Sequence, residues 1–443
     1  MGLVRLTAML LLASALVALH GCSSLAKGVT QGVIAAQEEK EADPGVCLIQ
    51  GPAFGGIAAE FQDDIGQQDS NAVLMVHGIG VHTPGYSGRF QRRLATALEL
   101  DVLYEPPKQF RVLPSPQGVA LGVAGEPLAT LRVSRWTNTD ETRELLFYEL
   151  TWSAISEPLK RTLDYDTSTD FSQFRSGLNQ SLKQFFNTRV SDSLIYTGSQ
   201  QKNILHAVSQ SMCWVYTNTW DSLPSGGDQP CNSANLESLR RFAANLETLD
   251  IAIVTHSLGS RIVIDALQYI AARAQTLQTS DTEFMTQLLQ SQNVPVYMLA
   301  NQLPLLQLGF SVPEVTGMVD EYCKPTGDFY AERLFSEIGV IAFSDPNDLL
   351  SYAIPPNFAA QYLDSRICPV IVNVLVNVAR PVGVPVLGAV VNPMTAHLDY
   401  ETDQRVIDII ARGVRRGDAA NSVPEGCIWT ETRETKAARK NVN

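Results

Sequence analysis

Residues 251–265 read IAIVTHSLGSRIVID. Ile251-Ala252-Ile253-Val254 is a short apolar run rich in β-branched residues, the pattern of a strand buried on both faces. His256-Ser257-Leu258-Gly259 is a turn. From Arg261 to Tyr269, Ile262, Ile264, Ala266 and Leu267 then suit a helix packed on a sheet. A serine between a buried strand and such a helix predicts a nucleophile elbow, a tight turn that strains Ser257 and lifts its hydroxyl above the sheet. The helix N-terminus behind it offers backbone N–H groups to a developing oxyanion. Strand and helix pass so close that the flanking residues must be small. Gly259 meets that need on one side, whereas Thr255 stands where the G-x-S-x-G pattern has glycine, so the turn is expected to be crowded.

Residues 71–80, NAVLMVHGIG, hold a second buried-strand run at Val73 to Val76, followed by His77-Gly78-Ile79-Gly80. A glycine-bounded turn after an early strand can aim a backbone N–H at the same centre. The expected oxyanion donors are the N–H groups of Ile79 and Leu258. His77 and His82 read as structural or rim residues. Gly85 to Leu100 reads as a helix, with Phe90, Leu94, Ala97 and Leu98 on one face. Arg111 to Trp152 is strand-rich. An insertion over about 153–241 precedes the elbow strand, where a cap can sit; its Phe171, Phe174, Phe185 and Phe186 read as core. Leu236 to Leu249 reads as the helix leading into that strand.

Beyond the elbow, Val294 to Ala300, Ile338 to Phe343 and Val370 to Val378 are further buried-strand runs. Strands alternating with helical stretches predict an α/β fold, a mainly parallel sheet with helices on both faces. Chemistry in such sheets sits beyond the carboxyl ends of the strands. Six histidines occur, at 20, 77, 82, 206, 256 and 397, and only His397 follows Ser257, as the serine–acid–histidine order requires. It falls in a loop after the last of these strands. The acid that orients it is expected at Asp348, just ahead of Leu349-Leu350, with Asp345 as the alternative; the other aspartate caps the Asp345-Pro346-Asn347 turn. The apolar stretch Ala379 to Val391 either lines an acyl pocket or belongs to the core.

At the N-terminus, Arg5 and the apolar run Leu6 to Leu19 form a secretory segment, 1–21, too short and lightly flanked for a stable membrane span. Leu19-His20-Gly21-Cys22 is similar to a bacterial lipobox, which implies lipidation of Cys22, and Ser23 is of the type that permits sorting to the outer membrane. Residues 22–45 read as a tether, 46–431 as the globular domain and 432–443 as a basic, solvated tail. With Cys22 set aside, six of the seven cysteines remain. An even set in an exported chain predicts disulfides, and fifteen pairings are open. Cys213 with Cys231 is the favoured local pair. No C-x-x-C motif occurs, and neither a metal nor a cofactor site is read. The net charge of −13 argues against nucleic acid, which selects basic surfaces.

Taken together, these residues resemble an α/β-hydrolase serine esterase or lipase. VHGIG, VTHSLGS, PNDLLSY and HLDY also resemble four segments of DDHD-type intracellular phospholipases: an H-G-I-G turn, an S-H-S-L-G-S elbow, a P-x-D-P-V-A-Y acid segment and a histidine loop. The likeness spans islands within residues 71–402 and departs from the pattern at Thr255 and Leu349. It implies an ester hydrolase with Ser257, Asp348 and His397 as its triad, acting on acyl lipid or another hydrophobic ester at the membrane that holds its anchor. An acyltransferase and a catalytically inactive scaffold lipoprotein are the alternative expectations.

Overall fold

The computed structural model describes residues 45–59, 69–102, 105–113, 127–231, 236–276, 280–384, 388–415 and 423–431. The secretory segment with Cys22, nearly all of the tether and the basic tail lie outside the described residues. Ten strands build one sheet: β1 (Cys47–Gln50), β2 (Asp69–Val76), β3 (Lys108–Val112), β4 (Ala129–Thr137), β5 (Arg143–Thr151), β6 (Leu249–His256), β7 (Asn293–Leu299), β8 (Glu337–Ser344), β9 (Pro369–Val376) and β10 (Ile428–Thr430). Their spatial order is β10-β1-β9-β8-β7-β6-β2-β5-β4-β3, with two-residue strands at Asp228–Gln229 beside β3 and Asp101–Val102 beside β4. From β9 to β5 every neighbour is parallel. β1 adds to β9, and β4 and β3 add to β5, in antiparallel sense. The result is an α/β architecture with a large, mixed, mostly parallel sheet.

The period of two along each strand sorts side chains to the two faces. Ile251 and Ile253 of β6 join Leu74, Val296 and Val340 on one face, while Ala252 and Val254 join Val73, Met75 and Tyr297 on the other. Helices cover both: α1 (Gly88–Ala97), α2 (Ser153–Lys160), α3 (Ser191–Thr197), α4 (Gln201–Thr217), α5 (Leu236–Thr248), α6 (Gly259–Thr276), α7 (Pro393–Leu398) and α8 (Gln404–Arg412) are the ones that matter here. The first face is closed by α4 and α6 through Ile204, Val208, Ile262 and Leu267. The second is closed by α1 and α8 through Phe90, Leu94, Val406 and Ile410. Each such buried side chain contributes on the order of 2 kcal/mol relative to exposure. The helix α8 starts where Asp403 accepts the Arg405 N–H, an N-cap that satisfies one of the orphan donors of the first turn.

Three disulfides are present: Cys47–Cys427, Cys213–Cys231 and Cys323–Cys368. The short-range pair is the one favoured by sequence. It staples the end of α4 to the segment approaching α5, and closing a loop of that size is worth about 3 kcal/mol in the chain-entropy treatment.

Three expectations change. Only the first part of the 153–241 insertion stands off the sheet, because α4 is a core helix packed on it. Phe171, Phe174 and Phe186 are exposed rather than core, and Phe185 is half-buried. Between α2 and α3 the chain breaks into short helical pieces with no sheet face to bury them against. His397 does not lie in a loop after the final strand: it sits on α7, and β10 follows it. The stretch 379–391 forms a small hairpin, Val382–Val384 with Gly388–Val390, and residues 385–387 lie outside the described residues.

The elbow strand carries one unresolved cost. Thr255 is fully buried, and its hydroxyl has no hydrogen-bond partner among the described residues. Burying an unpaired hydroxyl costs about 1–3 kcal/mol. Thr255→Val keeps the shape and removes that group, so it should raise stability by about 1 kcal/mol in urea unfolding. A lower midpoint would mean that the hydroxyl is satisfied.

Candidate active site

β2 and β6 are hydrogen-bonded neighbours, and the turns that follow them meet at the carboxyl edge of the sheet. Ser257 has φ +55°, the left-handed region that a non-glycine residue enters at a cost of roughly 1–2 kcal/mol. Its N–H donates to Leu299 O at 2.8 Å, which ties the elbow to the end of β7. A Cβ on Gly259 would come within 2.4 Å of Val76 O, so that position accepts no side chain. A Cβ on Gly78 would lie 2.6 Å from Ser257 Cβ, so the two turns touch backbone to side chain. Neither the Ile79 nor the Leu258 N–H donates a hydrogen bond to any of the described residues.

Ser257, His397 and Asp348 come together. His397 Nε2 stands 3.1 Å from Ser257 Oγ, and His397 Nδ1 stands 2.9 and 3.0 Å from the two Asp348 carboxylate oxygens. A carboxylate can only accept, so Nδ1 carries the proton and Nε2 is free to receive the Ser257 hydroxyl proton. Burial alone would raise the Asp348 pKa; the hydrogen bond and charge of His397, with the Leu350 N–H, hold it below the usual carboxylate range. Asp345 takes the other role. It accepts from the N–H groups of Asn347 and Ala379 and so shapes the turn that presents Asp348.

Several supporting residues were not singled out from sequence. Tyr400, three positions after His397, accepts the Asp345 N–H at 2.5 Å and donates to Asp348 Oδ2 at 3.4 Å. His256 Nε2 meets the His397 carbonyl at 2.9 Å and must donate to it. Asp192, on α3, accepts the Gly80 N–H at 2.6 Å next to the Ile79 donor, and Lys160 on α2 neutralises it at 2.8 Å. Glu149 on β5, fully buried, accepts from Ser87 N at 2.9 Å and from Gly85 N, holding the chain beyond that turn. His77, read as structural, braces the turn: its ring lies parallel to Trp152 with centroids 4.7 Å apart, its Nε2 accepts the Trp152 N–H, and its Nδ1 therefore donates to Gly78 O. Tyr400 stood in the HLDY segment and His256 in VTHSLGS, but lone polar side chains in sequence give no hint of partners far away in the chain.

The triad is covered. Ser257 has no exposed surface, and His397 and Asp348 are buried. Arg189 lies over the oxyanion turn, where a Cβ on Gly80 would be 3.3 Å from its guanidinium. A small cavity lined by Asn71, Asp250 and Asn293 lies at the opposite, amino-terminal edge of the strands, away from this chemistry. No grouping of potential metal ligands occurs among the described residues. No protein-family model, curated protein or solved structure matches the chain.

Three histidines around the site are uncharged at neutral pH. Burial lowers His77 well below its ordinary value, His82 to about 4 and His256 to about 3. A depressed histidine leaves stability intact above its unfolded pKa near 6.5 and removes it as pH falls toward the folded value, because the unfolded chain takes up protons the folded one refuses. Glu401 opposes this: burial, with Glu149 nearby, raises it to about 7, so its contribution grows as pH falls. Asp265, Glu337 and Asp399, also raised by burial, act with Glu401, and His206 acts with the three histidines; each depressed histidine contributes a downward slope to the melting temperature as pH falls from 6.5 to 4. His82→Asn should flatten that slope in a thermal-melt series, and an unchanged slope would remove His82 from the account.

Proposed function

We propose that the chain is a serine hydrolase of carboxylic esters with an α/β-hydrolase fold. The observation that carries this reading is the Asp348–His397–Ser257 hydrogen-bond relay, set beside two backbone N–H groups that no described residue uses. In this mechanism Ser257 Oγ attacks the ester carbonyl carbon while His397 Nε2 takes its proton. Asp348 holds the ring in the required tautomer and offsets the imidazolium charge. The Ile79 and Leu258 N–H groups receive the oxyanion. The alcohol leaves with the proton from His397, giving an acyl-enzyme. Water then attacks the acyl carbon, its proton passes to His397, the carboxylic acid departs and Ser257 regains its proton. The substrate class is a hydrophobic ester such as acyl lipid. The lipobox-like Leu19-to-Cys22 supports a lipid-anchored protein of the bacterial cell envelope, at the outer membrane facing periplasm or surface. The fully covered Ser257 favours a second reading, an inactive hydrolase fold used as an envelope scaffold.

Labelling by a fluorophosphonate probe separates the two, since only an activated serine reacts. Ser257→Ala, His397→Ala and the double variant should show nearly equal residual ester hydrolysis, on the order of 10³- to 10⁶-fold below wild type, because members of one catalytic unit are not additive. Probe labelling that survives Ser257→Ala would place the chemistry elsewhere. Asp348→Asn should cost on the order of 10⁴-fold in kcat and Asp345→Asn should chiefly lower stability. The Gly80 clamp predicts a third pattern: Asp192→Asn should lower kcat by about 10²-fold with little change in KM, since the oxyanion exists only beyond the ground state. A change in KM alone would sink that role.

A further inference from the structure

Residues 159–194 leave large apolar side chains at the surface, beyond local pairs such as Tyr165 with Phe171. Phe174 is 84% exposed, Tyr165 74%, Leu194 72% and Phe186 55%. Five acidic and five basic residues fall within 153–197, so this stretch is electrically neutral in a chain of net charge −13. It leaves the sheet at the carboxyl end of β5, and Asp192 and Arg189 bring it against the oxyanion turn. The exposed apolar side chains therefore belong to the catalytic edge of the sheet.

The described chain begins at that same edge. β1 runs antiparallel to β9 with Cys47 opposite Val376, so Gly45 and Val46 lie at the carboxyl end of the parallel strands. Asn377 N–H and Arg405 bind Val46 O there. Six strand spacings separate β1 from β5, about 30 Å at ~4.8 Å each. From the lipobox-like Cys22 to Gly45 the chain can reach at most about 80 Å, which spans that distance. A bilayer holding the N-terminal segment is thus within reach of the apolar stretch.

We propose that the 159–194 segment is a bilayer-docking surface, which lays the catalytic edge on the phospholipid membrane that holds the N-terminus. Aromatic and aliphatic side chains interleaved with charged ones suit the headgroup boundary, where rings and long basic chains keep one end wet. A segment without net negative charge also escapes the repulsion that the rest of this acidic chain feels at an anionic surface. A second copy of the chain fits less well. A stable pair needs about 800 Å² of continuous face on each partner, and these side chains are spread over short, separate helical pieces.

Hydrogen–deuterium exchange of the full chain, with and without phosphatidylcholine vesicles, tests this without any turnover, so its outcome is independent of the hydrolase proposal. Amides of 159–194 should exchange about tenfold more slowly with vesicles present. Phe174→Ser with Phe186→Ser should abolish that slowing while the protein stays on the vesicles through its N-terminus, and Ile428→Ser, at an exposed site on the far edge strand β10, should leave it intact. Protection confined to another surface would overturn the proposal, as would none at all. Protection that depends on protein concentration and not on vesicles would identify a second copy as the occupant and overturn it equally.

Discussion

The site rests on a contact between two backbones. β2 and β6 are adjacent, so the turns leaving them compete for one small volume, and both must surrender their side chains at the point of closest approach. Gly78 against Ser257 and Gly259 against Val76 are the places where that happens. Any added carbon there would push the Ile79 and Leu258 N–H groups away from the serine, or the serine out of its left-handed conformation. The fold thus converts a steric constraint into a fixed distance between the two turns. Ser257 keeps its strained geometry because the Leu299 carbonyl and the α6 helix leave it nowhere else to go.

Around that contact lies a shell of buried polar groups, each holding the next. His256 binds the carbonyl of His397, Tyr400 bridges the two aspartates, and Asp192 with Lys160 braces the oxyanion turn. In an interior of low effective dielectric such a network is rigid when complete and costly when broken. Asp192 and Lys160 come from the insertion. The segment whose Arg189 lies over the Gly80 turn therefore also holds that turn in place.

Much of this was legible in the sequence. The elbow, the H-G-I-G turn and the strands β6 to β9 are written in local, contiguous patterns: an apolar run, a turn, a helical repeat. His397 emerged by elimination and Asp348 by its place just ahead of Leu349-Leu350. What stayed hidden has a common cause. Asp192 and Gly80 are 112 positions apart, and nothing local to either announces the other. β1 and β10 are too short, at four and three residues, to show a period of two. The phenylalanines at 171, 174 and 186 were misread because spacing reveals that side chains share a side, not whether a sheet is there to receive them.

The Cys47–Cys427 bond has a mechanical consequence. β1 is the first described strand after the N-terminal segment, and it is held on one side by β9 and on the other by β10. A pull applied through the N-terminus enters the domain along β1, so the hydrogen bonds to both neighbours are loaded together in shear rather than one at a time. The disulfide hands part of that load directly to the segment leading into β10, bypassing the hydrogen bonds. Its loop encloses almost the whole globular domain, so the terminal strands cannot be peeled off in succession. A load entering through β1 thus stays at one corner of the sheet, while the turns after β6 and β2, three and four strands away from β9, keep their spacing.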